Sequence, residues 1–137
     1  MRKVWLPFAA LCSLIMVFAV QTLAAGSDQQ YLGAWSGTWE GGGASGRFDV
    51  TFERGSDGKL SGGVSVGEDT GDYTARFSTA AFEGNQLKAR YDYPKADQSE
   101  IVLSATFDGK SAKGSWQLVA KGQDAAFANG TWTVTQK

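Results

Sequence analysis

From Leu32 onward, apolar residues recur at every second position, and no stretch carries the 3.6-residue spacing of a helix with one buried face. This period of two constrains the chain more than any other feature, because it commits each segment to a strand with one buried and one wet face. The clearest case is residues 47–53, where Phe48, Val50 and Phe52 share one face while Arg47, Asp49, Thr51 and Glu53 share the other. Asp57-Gly58 then supplies a turn that tolerates positive φ, and alternation resumes over 60–66, so the pair reads as a hairpin. The same pattern predicts strands at 34–41, 73–82, 87–93, 100–107, 112–120 and 127–135. Gly84-Asn85 and Asp108-Gly109 mark turns, and Pro94 ends the segment before it because it has no N–H to give a ladder.

Eight antiparallel segments in about 105 residues leave roughly 13 residues for each strand and its turn, a spacing suited to consecutive hairpins. The expected fold is all-β, an eight-stranded antiparallel up-and-down β-barrel whose closure removes both sheet edges, with a two-sheet β-sandwich as the alternative. On strand parity, Trp39, Phe48, Phe52, Leu87, Tyr91, Leu103, Phe107, Trp116 and Trp132 point inward. Gly62, Ala75, Ala89, Gly114 and Gly130 provide small inward positions among them.

The N-terminal residues read differently. Arg2 and Lys3 precede an apolar run ending near Val20, and Gln21-Thr22-Leu23-Ala24-Ala25 offers small residues for a peptidase. Residues 1–24 are expected to be a signal peptide, 25–32 a flexible leader or a short helical cap, and 33–137 the barrel domain. The product is then periplasmic or secreted, with no stable membrane span once the signal is cleaved. Arg2, Lys3 and Cys12, which is the chain's one Cys, fall in the removed part, and the sequence has no His, so the remainder is mildly acidic and lacks both Cys and His. That inventory excludes Ser-His and Cys nucleophiles, His or Cys metal sites and disulfides. The charge balance also argues against a nucleic-acid binder. Paired-carboxylate hydrolysis requires two acids facing one another, whereas the parity of Asp49, Glu53 and Asp92 sends them to solvent. Glu68, Asp69 and Asp72 supply hard oxygens for Ca²⁺ but match no EF-hand spacing, and a hairpin connection is the preferred reading. No catalytic residue, metal or cofactor is expected.

One tripeptide repeats near both ends of this domain: Gly33-Ala34-Trp35, Gly37-Thr38-Trp39, Gly114-Ser115-Trp116 and Gly130-Thr131-Trp132. Residues two apart share a strand face, so each glycine leaves room beside its tryptophan for an indole or a neighbouring strand. The motif resembles the Gly-x-Trp signature in the first strand of the calycin group, the lipocalins and avidins. The chain is also similar to small secreted bacterial domains, some of them N-terminal to hydrolases. Those open with Gly-x-Trp-x-Gly, as in Gly37-Thr38-Trp39-Glu40-Gly41, run through a phrase like Asp57-Gly58-Lys59-Leu60-Ser61-Gly62, and close on a Gly-x-Trp strand. The resemblance implies a lipocalin-like binding barrel. The exported part has no disulfide, no Arg after Arg90, and a shorter chain than a lipocalin, which argues against a deep cup. No ligand-binding residue carries over from the family.

The functional expectation is a non-enzymatic binding module for a small apolar or amphipathic ligand, with pocket walls formed by Trp39, Tyr91, Tyr93 and Trp116. Two alternatives accompany it: a module that interacts with or inhibits an envelope protein through the loops at 68–72 and 94–99, and a structural barrel with a packed core and no ligand.

Overall fold

The structure, a computed structural model, describes residues 28–137; the expected signal peptide lies outside the described residues. The order of elements is a 3-10 turn (Gln29–Tyr31), then β1 (Gly33–Gly41), β2 (Ala44–Arg54), β3 (Leu60–Val66), β4 (Tyr73–Arg76), β5 (Thr79–Glu83), β6 (Gln86–Asp92), β7 (Ser99–Asp108), β8 (Ser111–Ala120) and β9 (Ala126–Gln136). All nine strands belong to one antiparallel sheet with the order β4-β3-β2-β1-β9-β8-β7-β6-β5. The first and last strands are neighbours, with Trp39 opposite Trp132. The sheet curls as an up-and-down barrel, and the sandwich is not formed. Among the described residues no helix is long and apolar enough to cross a membrane.

The ninth strand is a departure from the expected eight, and its origin is local. The segment read as one strand over 73–82 bends at Phe77 and Ser78. The Phe77 N–H donates to the Gly62 carbonyl of β3, and the Ser78 N–H donates to the Arg90 carbonyl of β6. One bent strand thus belongs to both ends of the sheet and carries the ring closure. The bend reverses parity: Tyr73, Ala75 and Phe77 meet the core from odd positions, Ala80 and Phe82 from even ones.

Elsewhere the alternation holds. Phe48, Val50 and Phe52 are buried on β2, as are Leu87, Ala89 and Tyr91 on β6 and Leu103, Ala105 and Phe107 on β7. Trp35 is fully buried and shares the inward parity of Trp39, so both belong to the interior. Burying each large apolar side chain contributes about 2–3 kcal/mol, and this lining is the main source of stability. On the outer face Arg76 pairs with Glu53, an exposed ion pair that adds about 0–1 kcal/mol, and Arg90 pairs with the buried Glu100.

The residues before β1 form the helical cap and not a free leader over their described part. Tyr31 is buried, its ring stacks on Phe82 at 4.4 Å, and its carbonyl accepts from the Trp35 indole N–H at 2.9 Å. The Arg54 guanidinium at the end of β2 holds Asp28 in place. Tyr31, Trp35, Phe52, Phe82 and Phe107 then close this end of the barrel, their rings in contact at centroid separations from 4.4 to 6.0 Å.

Candidate functional site

The opposite end of the barrel is built differently. It carries the β1–β2 turn at Gly42 and Gly43 and the connections at 67–72, 93–98 and 121–125. Beneath them lies a cavity of about 390 Å³. Its walls are mainly apolar: Trp39, Phe48, Tyr91, Leu103 and Trp116 from the strands, with Glu68, Asp69 and Thr70 at the mouth. A volume of that size falls within the range of about 300–1,000 Å³ found for small-molecule sites.

Glycines keep this space empty by letting the indoles lie against the wall. A Cβ on Gly130 would stand 2.6 Å from Nε1 of Trp116, and one on Gly41 would stand 2.7 Å from Cζ2 of the same ring. On the facing side, a Cβ on Gly46 would approach Trp39 Nε1 to 2.8 Å. With no side chains at those three positions, Trp116 and Trp39 pack flat over backbone and meet edge to face at 5.8 Å. Each indole N–H is already used, Trp39 donating to the Gly67 carbonyl at 2.9 Å and Trp116 to that of Glu40 at 3.1 Å. The rings therefore present only their apolar surface to the cavity.

Polar capacity comes from three tyrosines at the seam where β4 and β6 face each other without a shared ladder. The Tyr73 and Tyr91 hydroxyls lie 2.8 Å apart, so one donates to the other. The pair has two hydroxyl protons and spends one on that bond. Among the described residues no acceptor takes the second, which is a donor available to a ligand oxygen or nitrogen. Burial pushes the ionisation of both phenols well above the usual value; for Tyr91 the neighbouring Tyr73 adds to the rise, while for Tyr73 the bond from Tyr91 partly offsets it. Tyr93 is likewise raised by burial and by Glu68, whose carboxylate accepts its proton at 3.2 Å. All three phenols stay neutral donors across the ordinary pH range.

The mouth is strapped shut on one side. Lys95, from the 93–98 connection, donates to Glu68 Oε1 at 2.9 Å, to Thr70 Oγ1 at 2.9 Å and to the Gly71 carbonyl. Its ammonium fixes the 67–72 loop over the cavity and sits 5.8 Å from the centre of the Tyr73 ring. Of the carboxylates considered for calcium, Glu68 is thus paired with Lys95, and Asp72 lies 3.5 Å from Arg47.

All four residues expected from sequence, Trp39, Tyr91, Tyr93 and Trp116, line this one cavity. Tyr73 and Val66 belong with them and were not singled out. Tyr73 shares parity with Ala75, which reads as inward, so alternation alone could have found it. The Lys95 strap joins residues 27 apart in sequence, and no local pattern announces it.

Fold and site define an antiparallel β-barrel that is filled at one end and has an aromatic-walled cavity at the other. No protein-family model and no curated protein matches the chain. Among solved structures it is similar to one described as EF1p2_mFAP2b bound to DFHBI. The TM-score is 0.65 and the identity 16%, over 83% of this chain and 99% of that one. At that identity the likeness shows the barrel fold.

Proposed function

We propose that this chain is a non-enzymatic, exported binding barrel that holds one small apolar or amphipathic molecule in the cavity bounded by Trp39, Tyr73, Tyr91, Tyr93 and Trp116. The observation that carries the reading is the cavity itself. A barrel of eight segments is just wide enough to fill with its own side chains, and this one fills only one end. Keeping about 390 Å³ of apolar space open forgoes packing energy, and three glycines together with two anchored indoles maintain it. That a barrel of this fold is described as bound to a small molecule, DFHBI, supports the same reading by analogy. The basic start and apolar run before Ala24 support export, which makes the ligand one met outside the cytoplasm.

The test is a fluorescence titration with N-phenyl-1-naphthylamine, a neutral apolar probe that brightens when it leaves water. Saturable uptake at one site is expected. Leu118→Trp places a further ring in the cavity and is expected to weaken uptake by roughly tenfold while the fold persists. Absence of saturable uptake, or uptake unchanged by Leu118→Trp, overturns the reading.

A further inference from the structure

The charge and donor inventory of the mouth specifies the ligand's head group. The cavity walls include two ionisable carboxylates, Glu68 and Asp69, and no Lys or Arg. An ammonium has three N–H donors, and Lys95 spends them on Glu68, Thr70 and the Gly71 carbonyl. It neutralises Glu68 but has no donor left for an incoming anion. The indole N–H groups of Trp39 and Trp116 are committed to backbone carbonyls, and the Tyr93 hydroxyl donates to Glu68. Asp69, exposed at the rim, makes no ion pair among the described residues. An anionic head at this rim therefore meets an uncompensated carboxylate and no unpaired cation; the one spare donor, the second hydroxyl proton of the Tyr73–Tyr91 pair, belongs to the cavity wall beside the buried Tyr91. A cationic head meets Asp69 and the faces of the surrounding aromatic rings, which attract cations.

Resting on the binding-barrel reading, we infer that the site selects amphiphiles with a cationic, ammonium-type head over those with a carboxylate head, and that Asp69 determines this selectivity. The apolar body occupies the aromatic cavity and the head remains at the loop rim. Because the rim is wet, the charge effect is moderate and is screened by salt.

The experiment displaces N-phenyl-1-naphthylamine from the protein with decyltrimethylammonium, decanol and decanoate, the two ions below their micelle concentrations and decanol below its solubility limit, at about pH 8, where decanoate is ionised. Decyltrimethylammonium is expected to displace the probe at a concentration about fivefold lower than decanol, with decanoate weakest. In Asp69→Asn the cation is expected to lose that advantage and come within about twofold of decanol. Glu83→Gln, which removes an equal charge at the filled end of the barrel, is expected to leave the order unchanged. Probe uptake with decanoate displacing as well as the cation, or a cation advantage that survives in Asp69→Asn or falls equally in Glu83→Gln, overturns the selectivity and leaves the binding reading standing. A probe that is not taken up at all overturns both.

Discussion

The two ends of this barrel use the same kinds of side chain to opposite effect. At the end near the 3-10 turn, Tyr31, Trp35, Phe52, Phe82 and Phe107 point across the lumen and meet one another, with Tyr31 on Phe82 at 4.4 Å and Trp35 against Phe107 at 4.9 Å. At the other end Trp39 and Trp116 are as large, yet they lie along the wall. The difference rests on what stands beneath and beside each ring. Glycines at 41, 46 and 130 let the backbone pass directly under the indoles, and rim carbonyls hold their N–H groups sideways. At the filled end the indole N–H of Trp35 is drawn instead toward the Tyr31 carbonyl of the cap, which brings Tyr31 into the lumen. Aromatic content alone does not close a barrel; the direction in which each ring is anchored decides it.

If the filled end carries the stability and the other end carries binding, substitutions at the two should separate these properties. Trp35→Ala removes a fully buried indole and its contact with Phe107. It is expected to cost about 3–5 kcal/mol in urea unfolding, the largest effect of the series. Trp116→Ala acts on a half-buried ring above two glycines and is expected to cost only about 1–2 kcal/mol, while weakening N-phenyl-1-naphthylamine uptake by about tenfold. A stability loss equal to that of Trp35→Ala would remove the distinction between the ends. Tyr91→Phe deletes one hydroxyl of the seam pair; about 1 kcal/mol of stability is expected to be lost. Because Tyr73 keeps a hydroxyl proton in that variant, the binding effect is expected in Tyr73→Phe/Tyr91→Phe, which should bind a ligand bearing an acceptor less well with purely hydrocarbon ligands unaffected, as competition with matched alcohols and alkanes would read out.

The smallest effect concerns alkaline pH. The folded protein keeps the Tyr73 and Tyr91 protons at pH values where the unfolded chain releases them. Above about pH 10, the ordinary phenol value, the unfolded state therefore binds fewer protons than the folded one, and stability falls as pH rises. Below that pH both states are protonated and these groups contribute no slope. Urea midpoints measured across the range in the protein and in Tyr73→Phe/Tyr91→Phe should show the decline flattened in the double variant.

Much of this arrangement is legible in the sequence, because strand parity is a strict code. The spacing of Phe48, Val50 and Phe52, the Asp57-Gly58 turn and the paired Gly-x-Trp steps place the strands, the neighbouring ends of the chain and four cavity residues. Two features escape for physical reasons. Phe77 and Phe82 both face the core although they lie five positions apart, an odd offset that a straight strand forbids; that spacing was the available sign of the bend joining β4 to β5. The cap and the strap depend on long-range partners. Tyr31 becomes a core residue only because Phe82 and Phe107 arrive from distant strands, and Lys95 becomes a strap only because the fold brings 67–72 beside 93–98.

The most direct test of one filled and one open end follows the indole N–H resonances by NMR as N-phenyl-1-naphthylamine is added. The signals of Trp39 and Trp116 are expected to shift in proportion to occupancy, with that of Trp35 remaining in place. Movement of Trp35 equal to that of Trp116, or no movement of Trp39 and Trp116 at saturating probe, would contradict the account.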